Sequence, residues 1–302
     1  MSAGGSTKVI VIAMVANLGI AIAKFFGAFV SGSSSMLAEG IHSVVDTTNQ
    51  VLLLVGEKSA RKKPTDQHPL GYGRESFFWS FVVTILLFSL GGLFAIYEGV
   101  HKMSEPEPIS NFNLVIGILL TGIALEGYSF YSALKEIRAQ NRFGRLSTWF
   151  RRTTSAGLLV IFTEDAGALI GLAMAAFCVT MAKVLDNPAW DAYGSIAIGA
   201  LLVVLACFLA VEIKSLIIGE APSRNYRPDV EKILSERMPS AKMLRFLALS
   251  IGDREVLLSY KIHPGEERDV NSLIEDINKV EAEVRKQNPE VKWHFVEPDY
   301  KA

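Results

Sequence analysis

The stretch Ser35-Met36-Leu37-Ala38-Glu39-Gly40-Ile41-His42-Ser43-Val44-Val45-Asp46 opens an apolar run that continues to Val55. A run of that length suits a membrane-spanning helix. His42 and Asp46 interrupt it, and ionisable groups inside a span are costly enough to be functional candidates by default. Their i, i+4 spacing puts both side chains on one helical face, roughly 6 Å apart along the axis. An imidazole and a carboxylate on one inward face supply half of a divalent metal site. The alternative is a buried ion pair that only fixes helix packing. A second acidic spot, Glu164-Asp165, interrupts another apolar run. Two such spots in two spans point to a metal ion held near the bilayer midplane.

Working outward, half of the 302 residues are hydrophobic and the mean hydropathy is +0.31. The average conceals two unlike parts: residues 1–218 are apolar spans with short polar breaks, and residues 219–302 are charged. Six spans are expected, near 8–30, 35–56, 77–100, 112–134, 154–183 and 189–217. The first lacks a basic leader and a small-residue cleavage site, so it is expected to be retained. Lysine and arginine concentrate in two breaks. Lys58, Arg61, Lys62, Lys63 and Arg74 follow span two. Arg138, Arg142, Arg145, Arg151 and Arg152 follow span four. The break Ser31–Ser35 has no charge, Lys102 is set against Glu105 and Glu107, and Leu185–Pro188 is nearly neutral. By the positive-inside rule both termini are cytoplasmic.

The charged part is expected to be a small α+β domain of order α-β-β-α-β. Pro228 begins a helix to Met238. Met243–Ile251 and Val256–His263 form a hairpin around Gly252-Asp253. Val270–Lys286 carries Leu273, Ile274, Ile277, Val280 and Val284 on one stripe, and Val291–Val296 is a last strand. The net charge of −1 argues against a nucleic-acid partner. Cys178 and Cys207 both lie in spans, so they are packing residues and not a disulfide framework.

Further candidates vary in weight. Adjacent helical residues point about 100° apart, so Glu164 and Asp165 cannot share one face squarely. Asp165, with Gly167 and Gly171 beyond it as a small-residue face, is expected to turn toward the site. Glu164 is a fourth ligand, a proton carrier or the partner of a cation elsewhere. Lys24 and Glu126 read as buried charges that pair with each other or with these acids, and Glu126 is also a candidate for a proton route. Ser43 and Asn49 are candidates to support the ligands. Asp66 and His68, in a turn-rich segment before span three, are candidates for a second metal site. His263 and His294 lie in or beside strands, a weak metal signal with only scattered acids around them.

These residues resemble the cation diffusion facilitator family. The matches are Asn17, Lys24, Gly27 and Ser31 leading into the His42-Ser-x-x-Asp46 motif, and His68-Pro69-Leu70-Gly71-Tyr72-Gly73-Arg74-Glu75 before span three. The α-β-β-α-β tail ending in Trp293-His294-Phe295-Val296-Glu297-Pro298 is similar to the family's closing strand. The resemblance implies a membrane all-α domain of six transmembrane helices with a small metallochaperone-like α+β cytoplasmic domain, in a homodimer. It implies no enzyme, but export of Zn²⁺, or of Mn²⁺ or Fe²⁺, in exchange for protons across a membrane such as a bacterial inner membrane. The family's ligands map to His42, Asp46 and Asp165. The fourth usual ligand position is Ile161, which cannot bind metal, and the Glu164-Asp165 pair there resembles the zinc transporter 9 branch.

Two rivals of other classes stand beside this reading. A membrane-embedded metallohydrolase would want three firm ligands, an open water position and a general base, yet the spans hold only one histidine, His42, and no HExxH. A metal sensor would bind metal through the tail without flux.

Overall fold

The computed structural model describes residues 3–104, 108–140, 146–150, 153–253, 255–265 and 269–301. Glu105, Glu107, Arg142, Arg145, Arg151 and Arg152, which entered the topology argument, lie outside the described residues. The chain begins with α1 (Ala3–Ser31) and α2 (Ser34–Ala60). A single long helix follows, made of α3 (Glu75–Leu86), a π-helical stretch Leu87–Leu93 and α4 (Phe94–Ser104). Next come α5 (Phe112–Gln140), the short α6 (Leu146–Phe150), α7 (Ala156–Val184) and α8 (Ala189–Ile218).

Four helices are long and apolar enough to cross a membrane among the described residues: Glu75–Ser104, Phe112–Ala139, Ala156–Val184 and Ala189–Ile218. Asn17–Ser31 is a shorter apolar helix. The reason α2 stands apart is visible in its burial. Its buried face holds Ser34, Ser35, Glu39, His42, Ser43 and Asn49, whereas Val44, Val51 and Val55 are exposed. This is the pattern of a soluble helix turned inside out, polar toward the bundle and apolar outward.

The helices share a core that includes Leu119, Leu159, Leu172, Leu202 and Leu209. Glycine sets the closest approach. A Cβ on Gly199 would lie 2.7 Å from the Gly92 carbonyl oxygen, and one on Gly99 would lie 2.9 Å from that of Ala192. The Ser195 hydroxyl donates to the Ala95 carbonyl at 2.8 Å. The π-helical stretch and α4 therefore lie backbone to backbone against α8, with no room for side chains between.

Gly219, at φ 124°, ends α8. The tail then folds as α9 (Arg227–Arg237), β1 (Lys242–Gly252), β2 (Glu255–His263), α10 (Val270–Gln287) and β3 (Val291–Pro298), as its periodicity predicts. The sheet order is β1-β2-β3, with β1 antiparallel and β3 parallel to β2. The parallel pair needs a crossover, and α10 supplies it. Asp269 caps that helix by accepting from the Asn271 and Ser272 amides. Val256, Leu258, Tyr260 and Ile262 alternate inward along β2 onto Val280 and Val284 of α10.

Among the described residues, the tail touches the helical part through backbone and side chains. A Cβ on Gly73 would stand 2.6 Å from the Ile251 carbonyl oxygen, so the turn before α3 and the β1–β2 turn meet through backbone. Trp293 Nε1 donates to the Leu70 carbonyl at 3.2 Å. The Ser155 hydroxyl, just before α7, donates to Asp253 at 2.7 Å. The basic break after α2, the start of α7 and the tail thus lie at one end of the molecule.

Candidate metal centre

The α1–α2 turn positions the site. Ser33 caps α2, its hydroxyl accepting from the Met36 amide at 3.2 Å. A second cap comes from far along the chain. Asp191, in the first turn of α8 and fully buried, accepts from the Ser33 hydroxyl at 2.7 Å, the Ser34 amide at 2.6 Å, the Ser34 hydroxyl at 3.1 Å and the Ser35 amide at 3.3 Å. Lys102 Nζ stands 3.7 Å from the same carboxylate. A carboxylate on exposed helix-start amides is favourable by charge and by hydrogen bonding. Asp191 escaped the sequence reading. An Asp after Asn187-Pro188 looks like an ordinary helix start, and only the fold brings it to α2.

Further along α2, His42 Nδ1 and Asp46 Oδ1 are 3.5 Å apart, as their spacing requires. His42 is 1% exposed. Neither ring nitrogen has a hydrogen-bond partner, nor do Asp46 Oδ1, Asn49 Oδ1 and Glu39 Oε1. These five atoms are all the unpartnered buried side-chain nitrogens and oxygens of the helical part, among the described residues. All of them lie on one face of α2, within three turns. Buried polar atoms normally find partners, so a concentrated exception needs a cause. A cation fits the chemistry: the set is one imidazole, two carboxylate oxygens and one amide oxygen, donors suited to Zn²⁺ and to harder first-row ions.

Across the seam, α7 contributes the acidic pair, and the two acids part. Glu164 Oε1 accepts from Asn49 Nδ2 at 2.6 Å, a direct tie to α2. Asp165 Oδ2 accepts from the Ser129 hydroxyl of α5 at 2.9 Å. The sequence favoured Asp165 as the acid turned to the site, whereas the contact with α2 is made by Glu164. Asp46 feels the charges of Glu164, Glu126 and Asp165 together, so all four carboxylates belong to one electrostatic neighbourhood. Gly167 faces Leu205 of α8, and Gly171 faces Glu39, so the small-residue face of α7 does admit close neighbours. Among the described residues, no three His, Cys, Asp or Glu side chains stand close enough to hold one ion as they are. Closing on an ion therefore requires side chains on α2 and α7 to converge.

Lys24, expected to pair with Glu126 or with the acids above, pairs instead with Glu39 at 3.1 Å and donates to Ser43 at 2.7 Å. Glu126 is buried nearby and within reach of the Lys24 charge.

The outlying candidates are dispersed. Asp66 and His68 are exposed; His68 packs on Tyr72, with ring centroids 4.4 Å apart. His263 Nδ1 accepts from the Gly265 amide at 2.9 Å. His294 is buried against Tyr260, opposite Leu258 in the sheet register and far along it from His263. Burial, helped by the charge of Arg285, pushes the His294 imidazole down to about 4.

Comparison with known proteins adds the family. Residues 10–218 match the model of the cation efflux transmembrane domain. The proton-coupled zinc antiporter SLC30A9, mitochondrial, of Xenopus laevis is 30% identical over 243 residues, which cover 80% of this chain and 43% of that protein. Metal tolerance protein C4 of Arabidopsis thaliana is 31% identical over 231 residues, 76% of this chain and 50% of that protein. Manganese efflux system protein MneP of Bacillus subtilis is 24% identical over 182 residues, 60% of this chain and 56% of that protein. The chain spans about half the length of these relatives. With a family match over most of its length and four membrane-capable helices, this chain belongs to the cation efflux family and is an integral membrane protein.

Proposed function

We propose that the chain exports a divalent cation, Zn²⁺ first and Mn²⁺ or Fe²⁺ as alternatives, in exchange for protons. Residues 1–218 form the transport domain and 219–302 its cytoplasmic partner. Six helices cross the bilayer: α1, α2, the α3–α4 helix, α5, α7 and α8. His42 and Asp46 on α2 and Glu164 and Asp165 on α7 bind the cargo. The protein works as a homodimer with both termini in the cytoplasm, in a membrane such as the bacterial inner membrane. The observation that carries this reading is the row of unpartnered donors on α2, tied to Glu164 of the acidic pair on α7. The meeting of the tail with the basic α2–α3 turn and with Ser155 supports the sidedness. The names of the zinc and manganese relatives support the cargo.

The mechanism follows from ligand chemistry. Metal ligands must be deprotonated, so metal and proton compete for the same atoms. Histidine exchanges its proton near neutral pH, which suits His42 as the switch. Convergence of α2 and α7 on the ion, then separation toward the other side, gives alternating access.

The test is metal flux into proteoliposomes under an imposed pH gradient, comparing Zn²⁺, Mn²⁺ and Fe²⁺. Gradient-driven flux of one metal, lost in Asp46→Ala and Asp165→Ala, is the expected result. Tight binding without flux would move the weight to a sensor.

A further inference from the structure

Among the described residues, Lys24 is the one lysine or arginine with a fully buried side chain. It rises from α1 into the junction of α1, α2, α5 and α7. Its Nζ bonds Glu39 Oε2 at 3.1 Å and Ser43 Oγ at 2.7 Å, and its Cε lies 3.6 Å from where a Cβ on Gly122 of α5 would sit. Ser43 is the chain neighbour of His42. Glu39 is less than one turn before His42 on the same helix. Its other oxygen, Oε1, has no partner and lies in the slot left by Gly171, where a Cβ would stand 2.5 Å from it. The pair is thus built into the seam between α2 and α7, beside the cargo ligands.

We propose that Lys24 is a fixed internal counter-charge that weakens cargo binding and speeds release, with Glu39 setting how much of that charge the cargo feels. This rests on the transport reading above. A cluster of carboxylates sharing one buried seam would hold a divalent ion tightly enough to stop turnover. A permanent positive charge, held by Glu39 and Ser43, opposes this without supplying a donor to the metal. Glu39, paired with it, offsets part of that charge. Charge acts over distance in a low-dielectric interior, so no direct contact between Lys24 and the ion is required. Lys24 is therefore a positioning residue for charge, not a ligand.

The two members of the pair make opposite predictions. Equilibrium Zn²⁺ binding is measured on the full chain in nanodiscs by competition with a fluorescent chelator, alongside flux in proteoliposomes. Lys24→Met is expected to bind Zn²⁺ about tenfold tighter and to show a lower maximal flux. Glu39→Gln is expected to bind about tenfold weaker. The double variant, with neither charge, is expected within about threefold of the parent. Lys24→Arg, keeping the charge, is expected to match the parent. A packing role predicts weaker binding for both single variants, and that result overturns the proposal, as does unchanged binding in Lys24→Met. If Lys24→Met fails to fold, the double variant, which buries neither charge, decides: binding about tenfold weaker than the parent, as loss of a Glu39 ligand or of packing predicts, overturns the proposal. A parent that neither binds nor moves Zn²⁺, Mn²⁺ or Fe²⁺ would instead sink the transport reading.

Discussion

Two buried polar clusters sit on α2, a few turns apart, and they are built to opposite rules. At the helix start, Asp191 is fully enclosed and collects four hydrogen bonds plus the Lys102 charge. From Glu39 to Asn49, five buried atoms have no partner. The first cluster is a joint between α2 and α8. Removing a partner there exposes a deficit that the fold itself must absorb. The second cluster also ties α2 to its neighbours, through Lys24–Glu39 and Asn49–Glu164, but it leaves both His42 nitrogens and one oxygen each of Glu39, Asp46 and Asn49 unmet. Burial of charge is common to both, so burial alone does not mark function. The number of unmet hydrogen bonds is what separates the two.

The comparison breaks most sharply under substitution. Asp46→Ala is expected to lower metal flux on the order of 100-fold or more, since ligand loss exceeds the effect of losing a supporting group. Its thermal unfolding midpoint in detergent should stay level or rise, because an unsatisfied buried carboxylate is gone. Asp191→Ala should do the reverse. The midpoint should fall by the equivalent of about 3 kcal/mol, while flux per folded molecule stays within about twofold. A large flux loss in folded Asp191→Ala would erase the distinction.

His294 extends the comparison outside the membrane. It too is buried with both nitrogens unpartnered, but no carboxylate row accompanies it. Its folded value of about 4 lies below the ordinary 6.5. The unfolded chain therefore binds a proton that the native tail refuses. The native advantage is fully present above pH 6.5 and is lost progressively as the pH falls toward 4, by roughly 3 kcal/mol in all. Hydrogen exchange of the β2 and β3 amides, measured between pH 4 and 7, should show that loss, and His294→Phe should flatten it. Protection that does not change with pH would contradict the assignment. The smallest effect belongs to the surface: Glu231→Ala, which removes the exposed Arg227–Glu231 pair, should change stability by no more than about 0.5 kcal/mol.

Much of this was legible in the residues. The tail could be read element by element, because strand alternation and the α10 stripe are local signals and the hairpin turn is marked by Gly252-Asp253. His42 and Asp46 announced themselves by spacing within an apolar run. What the sequence hid is long-range. Asp191 reaches back 158 residues to Ser33, and nothing in its own neighbourhood signals that reach. The pairing of Lys24 with Glu39 depends on how α1 packs on α2. The parting of Glu164 and Asp165 depends on which neighbour, α2 or α5, each acid meets, and helix geometry alone allowed either assignment.

The most direct test is X-ray absorption of the zinc-loaded full chain at the metal edge, beside His42→Ala. A shell of oxygens with one imidazole, whose imidazole signal disappears in His42→Ala, is the predicted result. A shell with two or more imidazoles that persists in His42→Ala would place the metal elsewhere and contradict the account.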